Sequence, residues 1–176
     1  MKALKVISTI VLLSLVVVSQ KANAQTMPNT NLETQNNELL VTPTQNSNSS
    51  TNNENAQKYL NKGLELLKDK NYLQAIKAFN EVIKIQPDNQ YAYFLKGISY
   101  LQLGKYQQAK ADLDKSIELD SSISYTYFFR GMTNYALGNK EKAITDLQTA
   151  ANLFEKDGKL EMAQKSRDVI ERIRNA

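Results

Sequence analysis

The 176-residue sequence has no cysteine, no histidine and no tryptophan. Without Cys or His there is no zinc site of the usual kind, no Ser-His-Asp or Cys-His nucleophile, no haem axial histidine, no disulfide and no lipid-bearing cysteine. P-loop and GxGxxG glycine patterns and metal-spaced acids are missing too, so no nucleotide, metal or other cofactor is expected, and the chain is not expected to be an enzyme. An excess of one charge is also lacking. The 22 basic residues outnumber the 18 acidic ones, but Lys2, Lys5 and Lys21 fall in the first 24 residues, where there is no acid. The remainder holds 19 bases against 18 acids, which argues against a nucleic-acid partner.

Only the leader carries a long apolar run. Residues 1–24 begin with two lysines, continue as an apolar stretch from Val6 to Val18 and close on Ala22-Asn23-Ala24. That order matches a secretory signal peptide cut between Ala24 and Gln25. The apolar stretch is 13 residues long, short of the roughly 20 that a membrane span needs. Cleavage is therefore expected rather than a permanent anchor, leaving no stable membrane span and placing the mature protein in the periplasm or outside the cell. Arginine, typical of a mitochondrial presequence, first occurs at Arg130.

Aromatics are absent from residues 25–55, where 21 of 31 residues are Asn, Gln, Ser or Thr. Such a segment cannot bury enough apolar surface to offset the entropy of ordering its backbone, and a disordered linker is expected. Its one apolar cluster is Leu39-Leu40-Val41.

From residue 56 the chain repeats itself. Gly63, Gly97 and Gly131 are spaced by 34, as are Tyr59, Tyr93 and Tyr127, and Ala75, Ala109 and Ala143. Self-similarity at such a period marks a stacked repeat array. Apolar residues within each unit fall at helical spacing on both sides of a break, as at Asp69-Lys70-Asn71, so each unit reads as two antiparallel helices. Glycine in a helix interior costs roughly 0.5–1 kcal/mol relative to Ala, so the glycine column implies a backbone too close for a side chain, with the alanine column facing it.

These residues resemble the tetratricopeptide repeat family. Unit 56–89 offers Tyr59, Gly63, Tyr72, Ala75, Phe79 and Pro87; unit 90–123 offers Tyr93, Gly97, Tyr100, Gly104, Ala109 and Leu113; unit 124–157 offers Tyr127, Gly131, Gly138, Ala143, Leu147 and Ala150. Lys62, Lys96 and Arg130 stand where the family has Leu before Gly, and Asn134 where it has Tyr. After Gly158, residues 159–174 read as a seventh helix, with Leu160, Ala163, Ile170 and Ile173 on one side and the pairs Glu161–Lys165 and Asp168–Arg172 on the other. Such a helix caps the last repeat, as stacked arrays require. The expected fold is an all-α solenoid of three helix pairs plus a capping helix.

The resemblance implies that the second, fifth, ninth and twelfth positions of each unit point into a concave groove. There the chain has Gln57, Leu60, Leu64 and Leu67 in the first unit, Tyr91, Phe94, Ile98 and Leu101 in the second, and Tyr125, Phe128, Met132 and Tyr135 in the third. Family members that hold a partner's C-terminal carboxylate use Lys, Asn and Arg at the fifth and ninth positions, so a carboxylate clamp is not expected. An apolar strip suits a hydrophobic peptide or partner helix. Leu67, Leu101 and Tyr135 are read as core, whereas Phe94, Ile98, Tyr125, Phe128 and Met132 are expected to meet the ligand. Asp112 and Asp114, two apart on a helix, share no face and are expected to be solvated. The function expected is non-enzymatic protein binding by an exported adaptor. The alternative is self-association, the groove being filled by another copy or by the linker; the sequence leaves the oligomeric state open.

Overall fold

The computed structural model describes residues 46–176, with side chains from 51 onward. The expected signal peptide and most of the expected linker lie outside the described residues. The chain divides into two compact units at residues 55 and 56, and the second of them, 56–176, is the helical array. Seven helices occur among the described residues: α1 (Asn46–Lys68), α2 (Tyr72–Ile85), α3 (Gln90–Gln102), α4 (Tyr106–Leu119), α5 (Ser124–Ala136), α6 (Lys140–Lys156) and α7 (Leu160–Arg174). No helix among them is long and apolar enough to cross a membrane. The fold is all-α, in antiparallel pairs α1–α2, α3–α4 and α5–α6 with α7 as the cap.

One boundary differs from expectation. Helix α1 begins at Asn46, ten residues before the first repeat unit, so the end of the Asn/Ser-rich stretch is helical. Residues 51–55 are exposed. Their helix prolongs the packed turns that start at Ala56, because extending a nucleated helix costs far less than starting one.

Four turns close the helix pairs and the cap in the same way. After α1, Asn71 N–H donates to Leu66 O (2.7 Å) and Lys70 N–H to Leu67 O (3.1 Å). Equivalent bond pairs follow α3 at Lys105 and Gly104, α5 at Asn139 and Gly138, and α6 at Lys159 and Gly158. This is the Schellman arrangement, which needs a left-handed residue just past the helix end. Gly104, Gly138 and Gly158 fill that place with φ of 70°, 81° and 70°, and Lys70 fills it with φ 61°. Between units the chain turns without such a residue. There, Asn89 caps α3 by accepting from Ala92 N–H at 3.0 Å.

The core follows the repeat columns. Ala75, Ala109 and Ala143 are fully buried, as are Phe79, Leu113 and Leu147 four residues after them. A Cβ on Gly97 would lie 2.9 Å from Leu113 Cγ and 3.2 Å from Ala109 O; on Gly131 it would lie 2.9 Å from Leu147 Cγ and 3.1 Å from Ala143 O. The expected backbone approach at the glycine column is thus real in units two and three, but the large side chain beyond the alanine comes closer still. In unit one the Phe79 ring comes nearest to Gly63.

Candidate functional site

Of the eight apolar groove residues not read as core, six are less than one-tenth exposed. Phe94 and Ile98 are completely buried and Phe128 nearly so, with Leu60, Tyr91 and Tyr125 at 4–7 %. Leu64 and Met132 alone remain part-exposed. The expectation that Phe94, Ile98, Tyr125 and Phe128 offer open surface to a ligand is therefore corrected. The three aromatic rings among these four residues are all engaged in aromatic packing. Phe94 lies 5.9 Å from the Phe129 ring, Phe128 lies 5.6 Å from Phe129 and 6.5 Å from Phe154, and Tyr125 meets Phe154 edge-on at 4.8 Å. Leu67 and Leu101 are buried as core residues, while Tyr135 is part-exposed. Burial pushes the Tyr91 and Tyr125 phenols above their ordinary pKa, with Asp120 adding to the first and Asp157 and Glu161 to the second.

A second feature was not expected. Two of the three bases that replace leucine before the glycine column, Lys96 and Arg130, face acids sixteen residues on. Lys96 Nζ is 3.0 Å from Asp112 Oδ1, and both side chains are largely buried. Arg130 donates through Nε and Nη2 to both oxygens of Asp146, at 3.0 and 2.6 Å. Its third contact is Nη1 to Asp114 Oδ1 at 2.9 Å, which ties the third unit to helix α4 of the second. Asn134, standing in place of the family's tyrosine, donates to Asp146 Oδ2 at 2.8 Å, and Lys110 holds Asp114 at 2.6 Å. Each base also lies over the tyrosine three residues before it, Lys96 over Tyr93 and Arg130 over Tyr127, both at 5.4 Å.

Asp112 and Asp114 are thus not simply solvated: each looks a different way, and each finds a cation there. Burial raises the Asp112 carboxyl above its usual range, and the Lys96 hydrogen bond and charge pull it partly back. For Arg130, burial works against the charge, but Asp146 and Asp114 outweigh it and hold the guanidinium above its ordinary value. A signal for this ladder existed in the sequence, because Lys96 with Asp112 and Arg130 with Asp146 recur at the 34-residue period. A cleft of ≈ 360 Å³ opens beside it, bordered by Lys110, Asp114, Arg130, Asn134 and Asp146. No group of three or more acids suited to a metal ion occurs among the described residues.

On the cap, Glu161 pairs with Lys165 at 2.7 Å as expected, and this contact lowers the Glu161 pKa. The expected Asp168–Arg172 pair is replaced. Asp168 accepts from Gln164 at 2.9 Å, four residues before it on the other side.

Repeated hairpins with small residues at the crossing points and a polar-faced terminal helix define a class of stacked helical-repeat protein. Tetratricopeptide repeat models match residues 56–89, 91–122 and 124–157, and the chain belongs to the tetratricopeptide repeat family. Domains of this family are non-enzymatic modules that bind proteins. No curated protein matches the chain. Among solved structures, it is similar to the TPR2B domain of yeast Sti1 in a complex with pHsp70, at 20 % identity and TM-score 0.66 over 69 % of this chain and 98 % of that one. The second TPR domain of human RPAP3 with the HSP70 peptide SGPTIEEVD is similar at 24 % identity and TM-score 0.62, covering 70 % and 98 %. PcrH with the chaperone-binding region of PopD follows at 16 % and 0.66, covering 69 % and 92 %.

Proposed function

We propose that the protein is an exported adaptor whose repeat array holds an apolar peptide segment or helix of another protein. What carries this reading is the repeat family's protein-binding fold together with apolar fifth and ninth positions, of which Leu64 and Met132 stay part-exposed while Leu60, Phe94, Ile98 and Phe128 are core. Such a row has nothing to bind a terminal carboxylate. The bound peptides of the Sti1, RPAP3 and PcrH structures make a segment of another protein the natural ligand class. Leu64 and Met132, the two of these side chains that keep exposure, are the ones that meet the ligand. Export rests on the leader, residues 1–24.

Because Phe94 and Phe128 are core, changing them would test folding and not binding. The informative variants are Leu64→Glu and Met132→Glu. Each is expected to reduce capture of crosslinked partners from the native host while leaving the circular-dichroism spectrum and melting temperature near wild type. Capture unaffected by the double change sinks the site. Intact-mass analysis of the exported protein is expected to find Gln25 as its first residue; a retained Met1 would overturn the cleavage reading.

A further inference from the structure

The ladder has a vacant rung. Units two and three each match a base to an acid sixteen residues on, but unit one keeps the base, Lys62, and has Ala78 at the acid's place. Arg130 also draws on Asp114 from the helix preceding it, and among the described residues no helix precedes α1. Lys62 is exposed and has no ion-pair or hydrogen-bond partner among the described residues. It borders a cleft of ≈ 260 Å³ between α1 and α2, with Tyr59, Leu66, Lys77, Ala78 and Glu81 around it. Lys77 is a second exposed cation without a partner, whereas Glu81 is held by Lys84 at 2.7 Å. Leu73, 57 % exposed, lies four residues before Lys77 and so on the same side of α2.

This cleft sets Lys62 and Lys77 beside Tyr59, Leu66 and Ala78, with Glu81 its one acid, whereas the unit-three cleft is bordered by charged and polar side chains alone. There, α4 lies across the opening and presents Asp114 to Arg130. At unit one the base borders apolar side chains, and among the described residues no helix brings an acid to it.

We infer that this end of the stack is a docking surface for a helix of a partner protein, one that sets an Asp or Glu among apolar residues. Its carboxylate takes the place on Lys62 that Asp112 and Asp146 take beside their own bases, Lys77 adds a second positive charge, and Leu73, Tyr59 and Leu66 receive the apolar residues. The surface is distinct from the apolar strip, because at 3.6 residues per turn Tyr59, Lys62 and Leu66 lie on the side of α1 opposite Leu60 and Leu64.

The test uses the intact chain and a fluorescein-labelled peptide with the sequence of residues 105–120, the acid-bearing helix taken out of context. A peptide with both Asp112→Asn and Asp114→Asn serves as its control. Fluorescence anisotropy at about 50 mM salt is expected to show binding that weakens at about 0.5 M. The control peptide is expected to bind about tenfold more weakly, and Lys62→Glu, at an exposed position, to cost the parent peptide at least as much. Ala78→Asp supplies the missing acid from within and is expected to abolish binding while preserving the melting temperature. Should Ala78→Asp fail to fold, Lys62→Glu decides alone. Binding that is absent, indifferent to the acids or unchanged by Lys62→Glu overturns the proposal. If Leu64→Glu and not Lys62→Glu removes it, the peptide sits on the apolar strip: this inference then fails and the proposed function stands. A concentration-dependent dimer lost on Lys62→Glu would make the occupant another copy and overturn the partner assignment.

Discussion

Lys70 holds a left-handed backbone at the place where the three equivalent turns use glycine. An L residue with a Cβ is strained there by about 1–2 kcal/mol, and glycine's greater freedom in the unfolded chain offsets part of any relief. Lys70→Gly is therefore expected to stabilise the protein by about 0.5–1 kcal/mol in urea unfolding; a loss of stability would contradict this. The ladder shows what single residues concealed. Lys96 and Arg130 look like departures from the family pattern, and Asp112 and Asp114 look solvated because a helical wheel places them apart. The wheel is right about the faces and silent about the neighbours. Helix α4 packs against helices on two sides, α3 and α5, so both faces meet a cation. Replacing Lys96 by Met leaves a largely buried carboxylate unpaired, an expected loss of about 2–4 kcal/mol at pH 7. Asp112 already has a raised folded-state pKa, and losing Lys96 raises it further, so the folded state takes up its proton first as pH falls. The penalty is complete above the folded pKa and fades toward the unfolded value of about 3.9. Urea midpoints at about pH 7 and pH 4.5 check this; equal penalties at both would rule the mechanism out.

Among the elements, the turns were the most legible. Gly104, Gly138 and Gly158 announce the ends of α3, α5 and α6, because a Schellman turn selects glycine so strongly. The start of α1 was hidden, since Asn and Ser discourage a helix locally and only continuation from Ala56 carries it back to Asn46. Glycine-to-alanine changes at the crossing points follow from the geometry of each pair. In Gly131→Ala the new methyl would meet both Leu147 Cγ at 2.9 Å and the fixed carbonyl of Ala143 at 3.1 Å. An overpacking loss of about 1–3 kcal/mol is expected from thermal unfolding. Gly63→Ala meets the Phe79 ring first, and the two variants should therefore differ in whether Phe79→Leu rescues them. Rescue is expected for Gly63→Ala and not for Gly131→Ala.

At the scale of the whole array, helices pack mainly on those next to them in sequence, so stability is close to a sum of neighbour terms. The period showed this architecture in full. Which side of each first helix faces water was not readable, because a column repeated within one unit says nothing about what the next unit lays over it; Phe94, Ile98 and Phe128 were misplaced for that reason. The cap buries Met162, Ala163, Ile170 and Ile173 against α6 and covers the apolar end around Phe154. Ending the chain at Lys159 removes three large buried side chains at about 1.5–3 kcal/mol each, a large share of the roughly 5–15 kcal/mol that holds a domain folded. Strong binding of a hydrophobic dye and a broad, low thermal transition are expected; an unchanged sharp transition would show the cap to be dispensable. Serial order is also built into the array. Were the second and third modules exchanged, Arg130 would look back on Asn80 and lose the carboxylate of Asp114, so modules that look interchangeable by their spacing are not equivalent neighbours.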